Sequence, residues 1–168
     1  MRKKLTISLL LLMGLLLFSS CAENKIGRIF ISDDIQADAR VEQIISAIKD
    51  TDKNALKSLF SKKALDEAVG FDNDVDYLFE LLQDEIESWK RDGCSSDEST
   101  RYGKRTLMIR FAIDVNTDKD VYRFFVIDYA TDTIDPDNQG VYMLEVRLAD
   151  SPNTGSWQER MRAGLYIH

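Results

Sequence analysis

The stretch Leu107-Met-Ile-Arg-Phe-Ala-Ile-Asp-Val115 decides the fold class of this chain. Its apolar side chains recur at every second position, which is the pattern of a β-strand with one face in a core. A polar turn at 116–119 follows, and then two further apolar runs, Val121–Ala130 and Val141–Leu148. Such runs, separated by turn residues, predict an antiparallel meander, to which Trp157–Ile167 is predicted to add a fourth strand.

The sequence before these strands has a helical period instead. Helix-capping residues precede apolar residues spaced three and four apart, with the caps at Ser32, Asp52 and Ser61. A longer helix is predicted from about Asp74 to Trp89, and a polar loop over Asp92–Thr100 leads into the strands. Helices first and strands afterwards predict a single α+β domain, residues 32–168, with helices packed on one face of an antiparallel four-stranded sheet.

The N-terminus has the three parts of a secretion signal. Basic residues at 2–4 precede an apolar run, Leu5–Phe18, and the small residues Ser19 and Ser20 precede Cys21. The run has 14 residues, about 21 Å of helix, which is shorter than the roughly 30 Å hydrocarbon core of a bilayer. We therefore expect a signal peptide rather than a permanent transmembrane helix.

The residues that end at Cys21 resemble the lipobox of bacterial lipoproteins, with Phe18 where that motif usually has leucine. The resemblance implies cleavage before Cys21 and diacylglycerol attached to it, so that 1–20 is the signal peptide and 21–31 is the lipidated cysteine and its tether. The protein would then face the extracytoplasmic side of the bacterial membrane, which the lipid chains bind stably. A cleaved secretory peptide with an ordinary cysteine and an uncleaved signal anchor remain alternatives.

Charge and composition exclude several classes of function. Without residues 1–20 the chain has 148 residues, and it loses three of 22 Lys and Arg but none of 29 Asp and Glu, which leaves a net charge of −10. An acidic surface argues against nucleic acid as a partner and against docking on anionic lipid by charge alone. The single histidine is His168, and Cys94 is unpaired once Cys21 carries lipid. Histidine-based nucleophilic triads and zinc sites are therefore not expected, and neither is a cofactor.

Two acidic clusters contain the carboxylates that calcium sites use. Asp72-Asn-Asp-Val-Asp76 begins like an EF-hand loop, but Tyr77 stands where that loop needs glycine and Gln83 where it needs glutamate. Acids at the start of a helix explain the same residues. The second cluster is predicted to be a solvated turn: Asp132, Asp135 and Asp137. No metal site is therefore expected.

The segment Val41-Glu-Gln-Ile-Ile-Ser-Ala-Ile-Lys-Asp-Thr-Asp-Lys-Asn-Ala-Leu-Lys-Ser-Leu-Phe60 is similar to the opening of the nuclear-transport-factor-2-like, or cystatin-like, superfamily. Asp76-Tyr-Leu-Phe79, Ile127-Asp-Tyr129 and Gly164-Leu-Tyr-Ile167 resemble one family of bacterial lipoproteins with a domain of unknown function. The resemblance covers about residues 36–168. It implies helices on a curved sheet that forms a cone, a pocket between them, and a homodimer by analogy.

Asp128 is the strongest candidate for chemistry, because it lies in the middle of an apolar strand where a carboxylate is unusual. Residues predicted to line a ligand pocket with it are Tyr77, Tyr142 and Trp157. The alternative is a purely structural role, in which Asp128 faces solvent or pairs with Arg110 or Arg147 across the sheet.

Two functions follow as hypotheses. The favoured one is a non-enzymatic module that binds an unknown small molecule or protein at the membrane. The alternative is a small isomerase or dehydratase that uses Asp128 as acid or base, as ketosteroid isomerase uses a carboxylate.

Overall fold

The computed structural model describes residues 32–82, 86–151 and 163–167, so that Cys21, Trp157 and His168 lie outside the described residues. Within these ranges the helices come first: α1 (Asp33–Lys49), α2 (Lys53–Leu59), α3 (Lys62–Glu67) and α4 (Phe71–Leu81). The strands follow: β1 (Ile86–Arg101), β2 (Lys104–Thr117), β3 (Val121–Asp132), β4 (Gly140–Leu148) and β5 (Gly164–Ile167), with a 3-10 turn at Pro136–Asn138. The predicted α+β order is confirmed.

Two of the predicted helix caps are present as hydrogen bonds. The Asp52 carboxylate accepts from the backbone N–H of Ala55 at 2.9 Å, and the Ser61 hydroxyl accepts from that of Ala64 at 3.0 Å. Each bond satisfies a backbone donor that the first helical turn leaves without a partner. Gly70 precedes α4 in the left-handed region, at φ 78°, so that this helix begins at Phe71, three residues before the predicted start.

The sheet has five strands in the order β1-β2-β3-β4-β5, rather than the four expected. The strand that the sequence did not reveal is β1, which occupies the end of the predicted Asp74–Trp89 helix and the whole of the predicted Asp92–Thr100 loop. It lies at the edge of the sheet, and register shifts fall between Ile86 and Ser88 and between Arg91 and Gly93. Because most of its side chains are exposed and the bulges interrupt its alternation, β1 lacks the period of two that marks a half-buried strand.

The last strand also departs from the expected meander. Strands β1 to β4 pair antiparallel, whereas β5 runs parallel to β4, with Gly164 opposite Met143 and Ile167 opposite Val146. Four residues of the predicted strand Trp157–Ile167 belong to β5, and the start of that prediction lies outside the described residues. Only the described strands before β5 form an antiparallel meander.

The core lies between the helices and one face of the sheet. Large side chains from both layers are almost completely buried there: Ile44, Leu56, Leu78, Ile109, Phe111, Phe124, Val126 and Leu144. The space in which the resemblance places a pocket is thus lined by closely packed apolar side chains, which contribute most of the stability through burial. None of the helices in the described ranges combines the length and the apolarity needed to span a bilayer.

Candidate functional site

Asp128 lies on the helix-facing side of β3, where it is opposite Ile109 on β2 and Val141 on β4. It is only 3% exposed. Its Oδ2 atom accepts a hydrogen bond from Nε of Arg40, on α1, at 3.1 Å. The carboxylate therefore holds the first helix against the third strand, and it does not face solvent.

The predicted cross-strand partners of Asp128 are wrong. Arg110 is opposite Ile127, and Arg147 is opposite Arg123. These positions on β3 are one and five residues from Asp128, both odd separations, so the two arginine side chains project from the other face of the sheet. Arg110 pairs with Asp97, and Arg147 donates to the backbone carbonyl of Ser151.

The electrostatics of Asp128 are those of a carboxylate removed from water. Burial raises its pKa, and the charge and hydrogen bond of Arg40 lower it, with burial dominant. Its second oxygen, Oδ1, is buried and has no hydrogen-bond partner among the described residues. Arg40 is itself held by Gln43, whose Oε1 accepts from Nη1 at 2.9 Å. One oxygen of Asp128 is thus paired, while the other retains an unsatisfied acceptor.

Tyr142, the second predicted site residue, is the extra residue of a β-bulge. Ile127 pairs with Met143 and Asp128 with Val141, which leaves Tyr142 between the two pairs. Its hydroxyl donates to Glu67 on α3 at 2.9 Å, and its ring meets that of Tyr129 edge to face at 6.0 Å. Burial, together with Glu67, raises the pKa of Tyr142 to about 12. The structure thus engages Tyr142 and Asp128 with different partners.

The remaining predicted pocket residues do not complete a site. Tyr77 lies on α4 and is 53% exposed, so it does not line an enclosed pocket. Trp157 lies outside the described residues. Within the described part of the chain, no group of three or more His, Cys, Asp and Glu side chains is arranged to hold a metal ion.

The second acidic cluster is a hydrogen-bonded turn, and the prediction of a solvated turn holds for Asp137, whose side chain is 62% exposed, but not for Asp132. Asp132 is buried, and its Oδ1 atom accepts from the backbone N–H groups of Ile134 and Asp135, both at 2.9 Å, while Oδ2 accepts from the Asn138 amide at 3.1 Å. Burial opposes ionisation of Asp132, but these hydrogen bonds prevail and hold its pKa below its usual value. The Asp135 and Asp137 carboxylates form ion pairs with lysines of α3.

The candidate calcium residues are likewise engaged with cations. Asp72 pairs with Lys57 at 3.0 Å and Asp76 with Lys53 at 2.8 Å, across the surface between α4 and α2.

Burial raises the pKa of the Cys94 thiol to about 11, assisted by Asp34. Cys94 is therefore a poor nucleophile at neutral pH.

The described part of the chain also forms surface grooves that could not be predicted from the sequence, because each combines residues from separate turns and ends of elements. Two of them are defined by their lining residues. The larger, about 600 Å³, lies where the β2–β3 turn meets the end of β4. It is lined by Asp114, Thr117, Lys119, Asp120, Val121, Arg123, Leu148, Ala149 and Asp150. In it, Arg123 binds both oxygens of Asp114, at 2.8 and 3.0 Å. The smaller, about 420 Å³, lies between α2 and α3.

Comparison with known proteins gives a family but no activity. Residues 43–151 match a family described as a domain of unknown function (DUF5104). No curated protein matches the chain. The match runs from within α1 to just beyond β4, and it includes both Asp128 and Tyr142.

Proposed function

The chain belongs to the DUF5104 family, a domain of unknown function, and from that premise we propose that it is a lipid-anchored, non-enzymatic binding module on the extracytoplasmic face of a bacterial membrane. The observation that carries the non-enzymatic reading is the Arg40–Asp128 pair. The best candidate for an acid or base is held by an arginine and lies beneath a helix. A general base needs to come within hydrogen-bond reach of its substrate, and this carboxylate is enclosed.

Packing around Asp128 supports binding at the surface rather than inside the domain. Ile109, Val126 and Val141, its neighbours on the sheet, are each fully buried. A ligand that entered between α1 and the sheet would have to displace side chains packed at the density of a protein interior. The partner of this module, a protein or a small molecule, therefore binds the outer surface.

The accessibility of Asp128 tests the non-enzymatic proposal. We expect a water-soluble carbodiimide with an amine nucleophile, followed by peptide mass spectrometry, to label Asp137, whose side chain is 62% exposed, and to leave Asp128 unlabelled in the folded chain. Labelling of Asp128 as fast as Asp137 would contradict the proposal and favour the alternative, a small isomerase or dehydratase. That alternative draws its support from the unpartnered Oδ1 atom.

The lipid anchor rests on the sequence of residues 2–21 and is tested with two cysteine variants. In cells fed an alkyne-tagged fatty acid, we expect the wild-type chain and Cys94→Ser to be labelled and to sediment with membranes. Cys21→Ser should be unlabelled and should accumulate with its signal peptide uncleaved. Normal processing and membrane retention of Cys21→Ser would contradict the proposed anchor. Loss of the label in Cys94→Ser would show that the lipid is attached to Cys94 and not to Cys21.

The order of helices and strands supports the finer proposal that the domain is a nuclear-transport-factor-2-like cone. A homodimer is proposed by analogy with that superfamily alone. Sedimentation equilibrium of the purified chain in detergent tests it, because a mass of one chain at micromolar concentration would contradict the dimer.

A further inference from the structure

We infer that the tip of the β1–β2 hairpin, residues 101–105, is a second membrane contact that docks on anionic lipid headgroups. The tip reads Arg101-Tyr-Gly-Lys-Arg105, an aromatic residue between cations. The inference rests on the proposed lipid tether, which would keep this end of the domain near the bilayer.

Neither the backbone conformation of the turn nor packing within the domain explains why residue 102 is a tyrosine. Tyr102 and Gly103 have φ values of 50° and 77°, the left-handed region that glycine and asparagine adopt most readily. The Tyr102 side chain is fully exposed, at 105% of its reference area, so that it packs on nothing in the domain. A large aromatic residue in an unfavourable backbone conformation, without burial in return, is best explained by a contact outside the domain.

The charge of the tip is opposite to that of the domain. Three cations lie within five residues, in a chain whose formal net charge is −7. Arg105 pairs with Glu98 at 2.6 Å. Within the described residues, neither Arg101 nor Lys104 has an ion-pair partner, and both are exposed. Cations of this kind are attracted to anionic headgroups, and tyrosine concentrates at the membrane–water interface.

The chain enters the domain at the end of the sheet that carries the tip. The first turn of α1 lies against β1, where the Ser96 hydroxyl donates to Asp33. Further along the helix, Glu42 accepts from the Trp89 indole. Moving along α1 therefore means moving down β1, away from the tip, and the start of α1 is the end of the helix nearer to it.

The length of the tether allows the contact. From Ser96 to Arg101 is five residues of strand, about 17 Å. Residues 22–32, between Cys21 and α1, can span up to roughly 36–40 Å when extended. The tip can thus reach the surface to which Cys21 would be anchored. The acidic charge of the rest of the domain does not prevent this, because physiological salt screens charges beyond about 8 Å.

Fluorescence of the full mature chain, reconstituted in vesicles, tests the inference. Tyr102→Trp places a reporter at the tip, and Tyr77→Trp places one on α4 as the matched control, over the same background from the native tryptophans. The anionic vesicles contain two-thirds phosphatidylcholine and one-third phosphatidylglycerol, and the neutral vesicles contain phosphatidylcholine alone. Both also contain a lipid with a nitroxide quencher on its headgroup. We expect quenching of Tyr102→Trp on the anionic vesicles to exceed that of Tyr77→Trp and to fall on neutral vesicles.

Removing the free cations should undock the tip. Each lysine or arginine near an anionic surface strengthens binding about fivefold, so that Arg101→Gln with Lys104→Gln should lower the ratio of docked to undocked tip about 25-fold. Arg101→Lys with Lys104→Arg keeps the charge and should keep the quenching. Equal quenching of the two reporters, or quenching unaffected by the glutamine pair, would overturn the inference.

Flotation of the same vesicles separates this inference from the proposed anchor. If the wild-type chain floats and Cys21→Ser does not, while the tip reporter is unquenched, the anchor stands and tip docking is wrong. If the wild-type chain floats no better than Cys21→Ser, the anchor is wrong, and anion-dependent quenching of Tyr102→Trp still supports docking of the tip.

Discussion

Arg40→Gln should destabilise this domain far more than Asp128→Asn, although the two changes break the same ion pair. The Arg40 side chain is 21% exposed and that of Asp128 is 4% exposed. Without Asp128, Arg40 can still turn its charge towards water. Without Arg40, Asp128 remains a buried carboxylate with neither oxygen paired, which is the costly way to break such a pair.

The magnitude follows from the two ways in which the stranded carboxylate can respond. If it stays charged, loss of its counterion costs about 3 kcal/mol, the lower end of the range for buried pairs because Arg40 is partly exposed. If it takes up a proton instead, the cost is limited to about 1.4 kcal/mol for each pH unit above its ordinary pKa of 3.8. That limit is about 4.4 kcal/mol at pH 7 but only about 1.6 kcal/mol at pH 5. Asp128→Asn weakens one hydrogen bond and leaves Arg40 able to reach water, so it should cost about 1 kcal/mol.

The sign of the pH dependence follows from the raised pKa of Asp128. A carboxyl whose pKa is higher in the folded state binds its proton more tightly there. It therefore lowers the free energy of unfolding as pH rises from its ordinary pKa through its raised folded pKa. The penalty of Arg40→Gln should shrink from pH 7 to pH 5, and this component should vanish in Asp128→Asn.

Urea unfolding of the wild type, both single variants and the double variant, at pH 5 and pH 7, measures these quantities. At pH 7 we expect Arg40→Gln to lower the free energy of unfolding by about 3 kcal/mol, which in a thermal melt corresponds to a melting temperature lower by about 9 °C. In the Asp128→Asn background it should cost under about 1 kcal/mol, because the charge it strands is gone. The matched control is Arg123→Gln, which breaks partly exposed pairs with Asp114 and Asp92 and should cost about 1 kcal/mol or less. A loss from Arg40→Gln no larger than that, or independent of pH, would refute the reasoning.

Two further predictions concern packing and reactivity. Gly164→Ala should destabilise the domain by about 3 kcal/mol, because φ is 109° and the new Cβ would lie 2.7 Å from that of Ala68; Gly93→Ala, which meets nothing within 4 Å, should change stability little, and equal effects in thermal unfolding would be inconsistent with this. Cys94 should react with iodoacetamide at pH 7.5 about a hundredfold more slowly than a thiol of pKa 9.0, and its reaction rate should increase steadily towards pH 11. Fast labelling at neutral pH would show that the pKa of this thiol is not raised to about 11.

The parts of the fold that could be predicted are those set by local physics. Asp52 and Ser61 cap helices because their side chains bond to backbone groups three residues away, and β2 alternates because one of its faces is buried. β1 could not be predicted in this way, since its pairing partner is β2 and its own side chains are mostly exposed. Backbone pairing to a neighbouring strand leaves no mark on the sequence of an exposed edge strand.

The candidate site shows the same division. Asp128 could be singled out from the sequence, because a carboxylate in the middle of an apolar strand needs a partner. Its partner could not be, because Arg40 is 88 residues away and lies on a helix among other charged residues. Periodicity places Arg40 beside the buried Val41 and Ile44 on α1, but only the packing of α1 on the sheet decides which strand position it meets.

The Arg40–Asp128 pair and the hairpin tip differ in whether the fold explains them. Asp128, the residue that most resembled a catalyst, has a contact that explains its burial, because it holds α1 against β3. Tyr102 belongs to no recognised sequence motif. No contact within the described domain explains its position or its conformation. A residue whose presence the fold does not require is the better candidate for a contact with something else. Under the proposed lipidation of Cys21, the nearest such surface would be the bilayer itself.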